Sequence, residues 1–350
     1  MSNILKTVCV VFSVLCGFLC ASAAENFSAP SAEKLAGLGE SFRARLADCG
    51  ASGGALCVVA NGKVLYGRDF DSPKGSADGA KSGGAGALRK YPLGNTSQVL
   101  LSLMLAAMQG DGVLAADWRV SRHCSYFKFG SGDATFDDLL SMRGGFDSHS
   151  DSLVPADASS LEVFEIARQI PPAGAAKTYF ARSRLSAALA GYAMGYVFDK
   201  KTANMKKSFA ACAKKYLFEP MKFEDPRFVS FDTALFPATA FALSVVDCAA
   251  WLCCETSPNP PISTRSEIAA RRLSRDATDR FGGGWLASNE GGAHFFVSAD
   301  YWQNCANVVA VFPESNVAAA FFVPSPDAKK ASKACADSLS EFISVLTNSK

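Results

Sequence analysis

Residues 98–109, Gln-Val-Leu-Leu-Ser-Leu-Met-Leu-Ala-Ala-Met-Gln, are apolar around the whole circumference of any helix they could form. A helix of that kind has no face to offer water, so the pattern predicts one that runs through a core, with the rest of the chain packed around it. It is too short to cross a bilayer, and no later stretch of the sequence is longer and equally apolar. A turn-rich segment, Tyr91-Pro-Leu-Gly-Asn-Thr-Ser97, leads into it, and Gly110-Asp-Gly112 closes it. Whatever this chain folds into, it must supply enough secondary structure to cover a central helix on all sides.

The remaining periodicities supply that cover. Residues 31–48 read as a helix capped by Ser31, with Leu35, Leu38, Phe42 and Leu46 on one face. Residues 53–66 read as a hairpin around Asn61-Gly62, a strong two-residue turn signal between apolar runs. The Gly-, Ser- and Lys-rich run 72–87 reads as a surface loop. Thr135-Phe-Asp-Asp-Leu-Leu140 opens a helix with Thr135 as cap and Asp138 in the capping-box position, and Ser244 with Asp247 opens another over 244–254. Helices are also expected over 184–198 and 206–218. Strands are expected over 282–286, 294–297, 307–311 and 318–323, with a closing helix over 328–347. Helix and strands first, an all-helical middle, then strands and a last helix: this order predicts an α+β fold whose two ends meet in one antiparallel sheet. The sheet lobe would take about 31–90 and 280–350, and a mainly helical lobe about 91–279.

Composition limits the function classes. The 350 residues carry a net charge of +2 and show no Lys/Arg stripe, so nothing points to nucleic acid. Lys6, the apolar run Val8–Leu19 and Ala21-Ser-Ala23 have the three parts of a cleavable secretory signal over 1–23, which predicts an exported protein, periplasmic or secreted, without a transmembrane anchor. Nine cysteines lie beyond that segment, and buried thiols with a few disulfides are expected for them. Neither the cysteines nor the isolated His123 and His149 have the spacing of a metal site. Gly53-Gly54, Gly83-Gly84 and Gly144-Gly145 match no phosphate loop, so no cofactor is expected.

Several landmarks together resemble the β-lactamase-related serine hydrolases, a family of class C β-lactamases, DD-peptidases and related esterases. Tyr91 to Gly112 is similar to the segment that carries the family's nucleophile, an aromatic followed by Gly-Ser-x-x-Lys and an amphipathic helix. Thr135–Phe146, Pro171-Pro-Ala-Gly174, Phe218-Glu-Pro-Met-Lys-Phe223, Phe281-Gly-Gly-Gly-Trp285 and Val311-Phe-Pro-Glu-Ser-Asn316 resemble further family motifs in the same order. The resemblance implies a β-lactamase/transpeptidase-like fold over nearly the whole mature chain.

The positions that should carry chemistry depart from the pattern. Asn95 stands where the resemblance places the serine nucleophile, and Gln98 where it places the lysine base. Neither amide can attack a carbonyl or take up a proton near neutral pH. The family's Tyr-x-Asn falls on Tyr179-Phe-Ala181, keeping the tyrosine and losing the asparagine. Its third motif, a basic residue followed by Thr/Ser and Gly, falls on Ser298-Ala-Asp300, where a carboxylate replaces glycine; His294 lies four residues upstream. Ser97, two positions on and in the first turn of the helix, is the candidate surrogate nucleophile, and Ser102 another, though no Lys follows either at three residues. The expectation is an exported protein with the fold of a serine hydrolase but without its activity, serving as a binding or scaffolding domain for a cell-wall peptide or an envelope protein. Asn95, Tyr179, Ser298 and Asp300 would face one cleft, with a preference for neutral or cationic ligands. An active hydrolase with an unusual nucleophile is the alternative, and an interaction protein using a surface away from the cleft is a third reading.

Overall fold

The computed structural model describes residues 29–70, 88–124, 126–127, 134–200, 204–229, 233–262, 281–290 and 293–348. The expected signal segment (1–23) and the Gly/Ser-rich loop (72–87) lie outside them. Helix α1 (Ala32–Asp48) starts where Ser31 accepts a hydrogen bond from the Lys34 amide, and it buries Leu35, Leu38, Phe42 and Leu46 as its spacing requires. Strands β1 (Ala55–Ala60) and β2 (Lys63–Asp69) form a hairpin. Asn61 and Gly62, at its tip, both take left-handed φ, the geometry that matches the twist of a two-residue hairpin.

After β3 (Tyr91–Pro92) comes a 3₁₀ turn, Gly94–Thr96, and then α2 (Ser97–Gly110). Val99 to Leu105 are buried without a break, so this helix passes through the core as its composition demands. The chain then lays down α3 (Val120–His123), α4 (Phe136–Leu140), α5 (Ser148–Ser152), α6 (Ser160–Gln169), α7 (Arg184–Phe198) and α8 (Met205–Ala213). A π-helical turn (Lys214–Phe218) and α9 (Glu219–Met221) follow, where one helix over 206–218 was expected. The middle is not all-helical. Strands β4 (Arg227–Phe228) and β5 (Phe241–Leu243) join β3 in a small antiparallel sheet, so that the chain entering α2 is pinned on one side. Helix α10 (Val245–Thr256) begins at Ser244, whose hydroxyl accepts from the Asp247 amide and donates to the Asp247 carboxylate.

Strands β6 (Phe281–Gly282), β7 (Trp285–Glu290), β8 (Ala293–Trp302), β9 (Cys305–Phe312) and β10 (Val317–Pro324) complete a seven-stranded antiparallel sheet in the order β2-β1-β10-β9-β8-β7-β6. The N-terminal hairpin pairs with β10, from Ala55 opposite Phe322 to Ala60 opposite Val317, so the two chain ends share one sheet. The stretch 282–286, expected as one strand, is split by a turn at Gly283-Gly284 into the end of β6 and the start of β7. Gly283 and Gly284 have φ of +57° and +86°, and a Cβ on Gly284 would lie 2.5 Å from the Val99 amide nitrogen. Only glycine lets this hairpin press so closely on the first turn of α2.

The sheet separates two cores. Leu56, Val58, Phe295, Val297, Val308, Phe312 and Phe321 face α1 and α11 (Ala328–Thr347), meeting Phe42, Leu339 and Phe342. The alternate residues, among them Cys57, Val59, Phe296, Val309 and Phe322, face the helical lobe and α2. Period-two alternation in the strands thus decides which core each side chain joins. No disulfide joins any of the nine described cysteines, against the expectation of a few. The Cys57 and Cys248 sulfurs, on β1 and α10, are in contact at 3.9 Å, far beyond the roughly 2 Å of an S–S bond. Among the described residues no helix is long and apolar enough to cross a membrane.

Candidate functional site

The same alternation builds a polar floor on β8. Phe295 and Val297 join the outer core, while Ser298 and Asp300 point the other way, towards the 94–96 turn that precedes α2. Sheet register places Asp300 opposite Asn307 on β9, and the two strands together present three polar side chains to one short turn. The Asn307 amide donates to the carbonyls of Pro92 and Leu93 at 3.3 and 3.1 Å and accepts from the Thr96 hydroxyl at 2.8 Å. Ser298 donates to the same Thr96 oxygen at 3.3 Å. These bonds hold the 94–96 turn against the sheet, so the start of α2 has one position relative to β8.

Gly94 makes the approach feasible. Its φ is +55°, and a Cβ there would lie 2.2 Å from Asp300 Oδ2 and 2.6 Å from Trp302 Cβ. With glycine in place, the Asn95 backbone N–H donates to Asp300 Oδ2 at 2.7 Å. Burial pushes the Asp300 carboxyl up to about 6; the amides of Asn95 and Tyr301, the Asn95 side chain and the Arg182 guanidinium act against this by favouring the charged form. Asp300 is therefore largely ionised at pH 7, although only 8% of its surface is exposed. Two backbone amides aimed at one negative oxygen-bearing group is the arrangement that acyl-transfer sites use to hold an oxyanion. Here both amides are engaged by the protein's own Asp300 carboxylate.

Beside it, Gln98 Nε2 donates to Asn95 Oδ1 at 3.3 Å, so the two amides that replace the expected nucleophile and base are bonded to each other. Ser97, the surrogate candidate, is fully buried on the opposite side. Its hydroxyl accepts from the Phe241 amide at 3.2 Å and so ties α2 to β5. Ser102 is buried too, its hydroxyl donating to the Gln98 carbonyl one turn back. Among the described residues neither hydroxyl is hydrogen-bonded to a basic side chain.

Tyr179 and Ala181 lie on the segment leading into α7. Tyr179 is 38% exposed and packs so tightly on Gly174 that a Cβ there would meet its ring at 2.3 Å. The Ala181 amide donates to the carbonyl of Met142, itself in left-handed φ. Among the described residues no hydrogen bond joins either residue to the Asn95–Asp300 group. The segment borders that group through Arg182, which stacks over Phe281 at 5.1 Å and supports the charge on Asp300. His294, on β8, packs edge-on against Phe296 and takes no part.

The sequence reading found Asn95, Gln98, Ser298 and Asp300 but missed Gly94, Thr96, Arg182 and Asn307. Asn307 did leave a trace: it is the one residue in the run Cys305–Phe312 with a side-chain nitrogen or oxygen. Its alternation with Val309 and Val311 puts it on the lobe-facing side.

The chain matches the Beta-lactamase family model over residues 38–339. It belongs to the β-lactamase family. Solved structures agree on the fold. A β-lactamase from Sulfitobacter sp. EE-36 superposes with a TM-score of 0.67 at 14% identity, covering 91% of this chain and 99% of that one. A β-lactamase/D-alanine carboxypeptidase from Yersinia pestis, complexed with citrate, gives 0.66 at 12% identity, covering 89% and 98%. The octameric penicillin-binding protein homologue from Pyrococcus abyssi gives 0.66 at 15%, covering 89% and 77%. No curated protein sequence matches the chain.

Proposed function

We propose that this β-lactamase-family protein is an exported, non-hydrolytic binding or scaffolding domain of the cell envelope. The observation that supports this most directly is the 2.7 Å hydrogen bond from the Asn95 amide to Asp300. Acyl transfer in such a cleft needs a hydroxyl, a base to deprotonate it, and free donors for the oxyanion. At Asn95 and Gln98 the hydroxyl and the base are both replaced, and Asp300 occupies the donor as well. The ligand class the fold suggests is a peptide with D-amino acids, in keeping with relatives described as a D-alanine carboxypeptidase and a D-stereospecific amidohydrolase. The Asp300 charge selects within that class, against a free C-terminal carboxylate and for a neutral or cationic end.

The test is a graded repair. The unmodified protein should show no covalent labelling by a fluorescent penicillin or a fluorophosphonate, and no saturable nitrocefin hydrolysis. Asn95→Ser with Gln98→Lys should remain silent while Asp300 fills the donor, and adding Asp300→Gly should permit slow acylation. Turnover by the unmodified protein that rises through pH 6 and vanishes in Asp300→Asn would overturn the proposal, since it would make Asp300 a working base. For binding, a D-Ala-D-Ala peptide amide should bind more tightly than its free acid, and Asp300→Ala should erase the difference.

A further inference from the structure

The charge of this chain is unevenly placed. Between residues 200 and 222 there are seven lysines and one acidic residue, Glu219, although the whole protein carries only +2. Along the sequence these lysines form no stripe, because helical turns and a π-helical turn separate them. The fold brings two of them, Lys214 and Lys222, to one groove. Ala210 and Ala211 on α8, Lys214 and Phe218 on the π-helical turn, Lys222, Phe223 and Phe228 line an open cavity of about 580 Å³, within the range of small-molecule sites. Lys214 follows Ala211 and Ala210 at three- and four-residue spacing, so it shares a helix face with each, and the small alanines leave the floor of the groove low.

The walls are aromatic. Phe218 stacks on Phe223 at 5.8 Å and meets Phe228 at 5.4 Å. Lys214 and Lys222 are exposed on the rim, and neither forms an ion pair among the described residues. The nearby Asp225 is already engaged by Lys90 and Arg227. Lys222 takes left-handed φ, 56°, where the short α9 ends. π-Helical turns of this kind are concentrated at functional sites because they re-aim side chains within a helix. An apolar trough with unpaired ammonium groups on its rim is complementary to an acyl chain carrying an anionic head.

We propose that this groove docks the protein on an anionic phospholipid surface. One acyl chain lies along Phe218, Phe223 and Phe228, and Lys214 and Lys222 hold the phosphate headgroup. Glu219, on the same rim, opposes the headgroup and limits its affinity. The site is remote in sequence from Asn95 and Asp300, so it stands or falls independently of the cleft.

Co-sedimentation of the full chain with vesicles tests this. Phosphatidylglycerol/phosphatidylcholine vesicles should bind the protein and pure phosphatidylcholine vesicles should not, with binding weakened by added salt. Lys214→Gln with Lys222→Gln should weaken binding on the order of tenfold. Ala211→Glu, an exposed position on the groove floor, should weaken it comparably, and Glu219→Gln should strengthen it. Lys329→Gln with Lys330→Gln removes the same charge from α11, on the far side of the sheet, and should leave binding unchanged; circular dichroism confirms that each variant is folded. Equal loss in both lysine pairs would reduce the effect to net charge and overturn the site. Indifference to Ala211→Glu would do the same, as would binding of dispersed decyl phosphate with none to vesicles.

Discussion

Strand β8 carries two different solutions on its two sides. Its outward residues, Phe295 and Val297, vanish into an apolar core with α1 and α11, where any side chain of similar size and shape would serve. Its lobe-facing residues, Ser298 and Asp300, are polar, nearly buried and bonded to particular atoms of the 94–96 turn. One side is stabilised by area, the other by pairing. The pairing is internal: every described hydrogen bond of that floor ends on another part of the same chain. The donor that acyl transfer would need free, the Asn95 amide, is among the groups so paired.

Phe342→Ala tests the outer side and should have the largest effect. Phe342 is fully buried, with rings of Phe312 and Phe321 around it, and its truncation should cost about 3–5 kcal/mol in urea unfolding. On the inner side, Asp300→Asn should show an effect that depends on pH. The Asp300 carboxyl sits near 6, above its ordinary 3.8, so between those values the folded protein holds the proton more tightly than the unfolded chain. Its titration therefore favours the native state fully below about pH 4, and that contribution is lost as pH rises through 6. The stability of the unmodified protein relative to Asp300→Asn should fall by at most about 3 kcal/mol between pH 4 and pH 7. A flat difference would mean that the carboxylate is better solvated than its burial indicates. Asn307→Ala strands the Pro92 and Leu93 carbonyls and the Thr96 hydroxyl, and should cost about 2 kcal/mol, read by the same unfolding curves. Tyr179→Phe should be the smallest change, within about 0.5 kcal/mol, because its exposed hydroxyl has no described partner. A larger loss would place Tyr179 in the bonded floor after all.

Which parts of this comparison could be read from the chain follows from how local each signal is. The apolar cores were legible because caps and periodicity are local: Ser31, Thr135 and Ser244 open helices as expected, and alternation in β1 and β9 sorts their residues between the two cores. The inner floor was only half legible. Asp300 stood out because it breaks a motif, but that it reaches the Asn95 amide depends on Gly94 and on the register of β8 against β9, which arise only when distant segments meet. The small sheet β3-β5-β4 escaped for the same reason, its strands being two or three residues long. The lysines of residues 200–222 escaped because the π-helical turn shifts the helical phase that a sequence reader would assume.

The contact between Gly94 and Asp300 also bears on how such a protein can change over time. A serine regained at position 95 brings no benefit while a carboxylate holds the neighbouring amide, and losing the carboxylate alone leaves that amide beside a side chain that cannot react. Neither substitution alone would therefore supply both a nucleophile and a free donor. On the proposed non-hydrolytic reading, positions 95 and 300 are coupled through one hydrogen bond, so a return to hydrolysis would need both to change together.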